Sequence, residues 1–393
     1  MGALTFGLVA GFTVTALPFL LSRAGVSVDR IAGVSAVAMS PTFWAFLVTP
    51  IVDVGATRRA WSFLLSVLSA VSLAASLWFF TPQKLGLFTA LVLIAEMAIV
   101  LQSSAVGGWA TEFIKDAQRG KVGGWTNAAN LGGGAFGAML LMSAAAKLDT
   151  HALAILTLLT VLLSASFLFW FPKSAEPVLK IQQVFGGTFR SVVQTCRHKQ
   201  VLIGFLLFLL PAGAVAAINL FASLGNDFHA AAGRVVWVTG AGVAISSSAG
   251  ALIGGYLADR IRRGVLYLAG GMVAGLTSLA LAFTPHTELA FIIGVLFYNG
   301  VAGVIYAAFT ALSLELTGHG NPTAATQMAL FAASINGAIV YMTWLDGQGY
   351  RLYGLKGLFL VDGLAATVTA IVLLAFVVRR HHPLVRAAAS GTD

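Results

Sequence analysis

Phe46 to Trp61 reads FLVTPIVDVGATRRAW, and Leu252 to Val265 reads LIGGYLADRIRRGV. In both stretches an apolar run stops at an Asp, a short turn follows, and two adjacent Arg precede the next apolar run. Apolar runs of that length cross a bilayer, so each stretch is a tight charged hairpin between two membrane helices. The same hairpin written twice marks equivalent corners of two halves.

Working outward, composition fixes the solvent. Of 393 residues 58% are hydrophobic and only 9% charged, with a mean hydropathy of +0.90. A soluble core has no use for so many apolar side chains. A spanning helix needs about 20 apolar residues, and the chain divides into twelve: 3–22, 31–52, 60–80, 85–110, 122–146, 150–171, 201–223, 233–257, 265–284, 288–314, 323–344 and 355–378. The expected fold is an all-α membrane protein of two pseudo-symmetric six-helix bundles, 1–171 and 201–378. A cytoplasmic linker with an interfacial helix (172–200) joins them, and 379–393 forms a cytoplasmic tail.

Basic residues orient the chain. With both termini inside, the inner loops and tail hold 16 of the 23 Lys and Arg and the outer loops hold 7. The positive-inside rule therefore predicts cytoplasmic termini in a cell membrane, a bacterial inner membrane by preference. This topology and anionic headgroups account for the net charge of +9 without nucleic acid. The opening MGALTFGLVAGF lacks a positive leader segment and reads as a retained first helix. The single Cys196 implies no disulfide framework.

Glu96 stands near the middle of the fourth span, where an ionised carboxylate costs on the order of 3 kcal/mol. A carboxyl that takes up a proton and releases it when a cavity opens to water is what a proton-coupled carrier requires. Glu96 is accordingly the candidate proton carrier; a neutral Glu bonded to a neighbouring helix is the alternative. In the fifth span Asn127, Asn130, Gly134 and Gly137 share a stripe, polar at one end and small toward the middle. The glycines suit close helix packing.

The halves repeat at an offset near 200 to 206 residues. Asp53 pairs with Asp259, Arg58 and Arg59 with Arg262 and Arg263, Glu112 with Glu315, Asn130 with Asn336, and Glu96 with Asn299. One half thus keeps an acid where its counterpart helix keeps an amide. A repeated twelve-helix carrier binds solute near mid-depth between its halves. The candidate solute contacts are Asn299, Tyr298, Asn127, Asn130, Gln327, Asn336 and Trp44; the candidate gate residues are Asp53, Arg58, Arg59, Asp259, Arg262 and Arg263. Physically, a carboxylate facing arginines can hold one side shut in one state and let go in the other.

Absences narrow the class. No Lys or Arg lies in the central third of a span, which disfavours phosphorylated solutes. No metal-ligand spacing, nucleotide-binding Gly-Lys loop or nucleophile elbow occurs, so neither an enzyme nor an ATP-driven pump is expected, and no cofactor.

These residues carry a resemblance. Twelve spans in two halves, with YLADRIRRG after the eighth, resemble the major facilitator superfamily. LPFLLSRAG, FLVTPIVD with RRAW, and PTAATQMALFAAS are similar to its group of muropeptide, acetyl-CoA and siderophore permeases. Ala45 and Val48 stand where the muropeptide permeases carry Lys and Trp. The resemblance implies a secondary transporter, uniport or proton symport, of a bulky polar solute, acting as a monomer. A proton-antiporting exporter and a non-transporting receptor or assembly factor are the alternatives.

Overall fold

The computed structural model describes residues 2–145, 147–172 and 199–379, and every regular element among them is helical. The first six spans are α1 (Gly2–Arg23), α2 (from Val28–Met39 through short turns to Thr49–Asp53), α3 (Arg58–Trp78), α4 (Leu85–Ala110), α5 (Arg119–Ala145) and α6 (Thr150–Trp170). The second six are α7 (Lys199–Leu209, continued by short turns), α8 (Gly233–Ala258), α9 (Arg263–Phe283), α10 (Glu288–Thr317), α11 (324–352) and α12 (355–379). Nine described helices are long and apolar enough to cross a bilayer. The last divides at Tyr353 and Gly354, and shorter apolar helices at Gly33–Leu47 and Lys199–Leu209 belong to α2 and α7. The twelve predicted spans are all present. The interfacial helix expected at 172–200 and the tail at 379–393 lie largely outside the described residues.

Local chemistry explains the boundaries. Thr57 caps α3 and Asp149 caps α6, each accepting the amide of the residue three further on, the usual way to satisfy a helix's first donors. Pro41 and Pro50 each open a short turn and break α2 into pieces. Gly354 reverses the chain at φ 60°, a conformation open to glycine at no steric cost. The α-helix of α7 ends at Leu209, with Leu210 extended ahead of Pro211, and Val215 beyond it is held at φ 42°, an outlier for a β-branched residue.

Side chains sort by lipid rather than by water. α3 buries Ser62, Ser66, Ser69, Ser72 and Ser76, while Leu64, Leu68 and Val71 face outward. Small residues inside and large apolar ones outside are the membrane pattern, because the lipid tails accept Leu as readily as a core does. Backbones approach closely where glycines allow it. A methyl group on Gly7 or Gly11 of α1 would overlap the Asn130 or Gly134 carbonyl of α5, and one on Gly250 of α8 would overlap the Gly300 carbonyl of α10. The glycine stripe of α5 is therefore packing surface, as its spacing predicts.

The chain forms two compact units. Unit 1 is Met1–Asp116, Thr126–Phe205 and Ser313–Ser334; unit 2 is Ala117–Trp125, Leu206–Leu312 and Ile335–Asp393. Each unit therefore takes in a short piece from the other half of the sequence: the end of α10 with the start of α11 in unit 1, and the start of α5 in unit 2.

Candidate functional site

Those two exchanged pieces are where the repeated hairpins bind. In unit 1, Asp53 is 5% exposed, and its carboxylate accepts hydrogen bonds from the Ala325 and Thr326 amides at 3.2 and 3.0 Å and from the Thr326 hydroxyl at 2.8 Å. These are the first donors of α11, free because a helix leaves its opening N–H groups unpaired, and they form the positive end of its dipole. In unit 2, Asp259 does the same at α5, accepting from the Gly120 and Lys121 amides at 2.6 and 2.9 Å. A carboxylate at a helix N-terminus is a favoured anion site.

Arginine completes the first of these sites. Arg58 donates to Asp53 at 3.0 Å and to Glu112 at 2.9 Å, and also to the Asn321 and Pro322 carbonyls ahead of α11. Beside this cluster, His319 contacts the Thr111 carbonyl and Asp116. The arginine pairs do not act as pairs: Arg59 donates to the Phe169 carbonyl and Arg262 is exposed. Arg263 is half-buried at the start of α9. The carboxylate therefore meets a helix end as well as Arg58, a partner that spacing alone does not disclose.

Glu96 lies about halfway along α4 and is 4% exposed. Its partner is Thr13, whose hydroxyl lies 2.5 Å from Oε1. Thr13 sits in a π-helical turn, Phe12–Ala16, a kind of interruption that recurs at functional sites. The same hydroxyl is 3.1 Å from the Val9 carbonyl. A hydroxyl has one proton to give, so it can donate to an ionised Glu96, or donate to Val9 and accept from a protonated one. Both charge states find a hydrogen-bonding arrangement at this position.

The predicted solute residues divide. Tyr298 is buried and donates to Asp362 at 2.9 Å; Asn299 is buried and donates to its own helix at the Val295 carbonyl. Asn127, Asn130 and Asn336 are half-buried, and Trp44 is 39% exposed. Gln327 is buried with its amide donating to Thr323 and its carbonyl oxygen lacking a partner. Sequence reasoning missed Asp346 and Asp362, both buried in unit 2. The signal was available: Asp362 interrupts the apolar run LFLVDGLAATV inside the last span.

The Major Facilitator Superfamily profile matches residues 1–324. No curated protein sequence matches significantly. Among solved structures, a proton:xylose symporter bound to 6-bromo-6-deoxy-D-glucose superposes with a TM-score of 0.71 at 13% identity, covering 96% of this chain and 94% of that one. The E. coli fucose:proton symporter gives 0.70 at 14% (94% and 96% covered), and the human organic anion transporter MFSD10 gives 0.70 at 17% (95% and 97%). These likenesses are of fold. With the profile spanning most of the sequence, the chain belongs to the major facilitator superfamily and has the fold of its membrane transporters.

Proposed function

We propose that the chain imports a bulky, neutral or zwitterionic polar solute, a cell-wall fragment or an iron chelate, together with protons. The observation that carries this reading is Glu96: a buried carboxyl halfway along a spanning helix, held by a hydroxyl that can serve either of its charge states. Proton coupling is named for the xylose and fucose symporters of the same fold, which supports the assignment. The half-buried amides of Asn127, Asn130 and Asn336, with Gln327 and Trp44, are the proposed solute contacts. The two aspartate–helix contacts, at Asp53 and Asp259, are the proposed gates, made in one state and released in the other. The 16-to-7 distribution of basic residues supports cytoplasmic termini.

A thermal-shift panel of cell-wall fragments, siderophores, sugars and common drugs identifies a binding solute. That solute is then offered to proteoliposomes under an imposed inward proton gradient. Accumulation above the external concentration, abolished by a protonophore, is the expected result. Equilibration indifferent to the gradient overturns coupling, and flux driven only against the proton's direction makes the protein an exporter.

A further inference from the structure

Unit 2 holds a second set of buried acids with no part in the gates. α11 and α12 run antiparallel from the turn at Gly354, with Gly349 packed against Gly357 and Met342 in one cluster with Val361 and Ala365. This packing brings Asp346 opposite the turn of α12 that bears Asp362, close enough for the carboxyls to interact electrostatically. Asp362 is richly bonded: the Ser278 hydroxyl of α9, the Tyr298 hydroxyl of α10 and the Ala217 amide of the broken α7 all donate to it. That amide is available because α7 is interrupted at the strained Val215. Asp346 is its opposite, 0% exposed with neither oxygen hydrogen-bonded. Among the described residues no Lys, Arg or His pairs with either acid; the titratable groups facing them are Tyr298 and, beyond it, Tyr306.

We infer that Asp346 and Asp362 form a second proton-binding site, with Asp346 carrying the proton and Asp362 as its anchored anionic partner. Three donors suit a carboxylate and stabilise its charge, whereas a buried carboxyl given no donor is accommodated only as the neutral acid. Two like charges at this depth cannot both persist without a cation between them. The cation assigned to the pair is a proton: among the described residues no group of three or more His, Cys, Asp or Glu side chains is placed to hold a metal ion. Taking up the proton converts an Asp346 carboxylate oxygen to an O–H, a donor that a carboxylate can accept.

The test needs no solute and does not pass through Glu96. Infrared difference spectra between acid and alkaline pH are recorded on the purified full chain in nanodiscs, in the parent, Glu96→Gln and Asp346→Asn. The parent is expected to show a protonated-carboxyl band that persists in Glu96→Gln and is lost in Asp346→Asn. An unchanged band in Asp346→Asn overturns the assignment, as does loss of the parent band when sodium replaces potassium, which would mark a metal-cation site. Should Asp346→Asn fail to fold, Ser278→Ala removes a donor from Asp362 and is expected to shift the band's titration midpoint; an unmoved midpoint also overturns the proposal.

Discussion

Asp53 and Asp259 end matching apolar runs and seize matching helix starts, but the protein completes their surroundings unequally. Asp53 is buried and holds two amides, a hydroxyl and Arg58, which is itself shared with Glu112. Asp259 is half-buried and holds two amides. The difference teaches that the repeated hairpin encodes one contact, carboxylate to helix N-terminus, which the first half sets deep and ties to Arg58 and the second leaves half open. A buried network is costly to break and slow to screen; a more open contact is weaker and feels salt.

The comparison can be broken most forcibly at Arg58. Arg58→Ala leaves the buried Asp53 and the half-buried Glu112 without their shared cation, a loss of about 3 kcal/mol. A large drop in thermal stability and in folded yield is expected, and a variant that melts with the parent would show that the network is idle. Asp53→Asn keeps the shape but gives up the charge, with an expected cost of about 2 kcal/mol from weakened bonds to Arg58 and the α11 amides. Asp259→Asn should cost about 1 kcal/mol. Melting of the two variants side by side, at low and high ionic strength, sharpens the contrast: added salt should narrow the gap between parent and Asp259→Asn and leave that of Asp53→Asn nearly unchanged. Equal costs, or equal salt responses, would erase the distinction drawn here.

Much of this architecture was legible in the sequence because lipid imposes stark patterns. Twelve apolar runs, two charged hairpins and the acid Glu96 inside a span can be read from residue types alone. Glu96 stood out since nothing near it in the chain offers a counter-charge. What the aspartates bind was hidden for a physical reason: a helix's first amides attract anions whatever side chains they carry, so Ala325 and Gly120 give no sign of their role. Tyr298 and Asn299 read as solute contacts because an amide and a phenol in a span suggest a cavity. Asn299 instead satisfies its own helix, and Tyr298 serves an acid 64 residues further on. That acid, Asp362, interrupts an apolar run in plain sight, but its donors come from three elements far from it in sequence, and only the fold brings them to it.

The account turns on whether the carboxyl of Glu96 carries the coupled proton, and the direct measurement is transport by Glu96→Gln in proteoliposomes assayed two ways. Exchange of labelled for unlabelled solute should continue at near the parent rate, since it requires no net proton movement, while accumulation driven by a proton gradient should be lost. Gradient-driven accumulation at the parent level in Glu96→Gln would contradict the account.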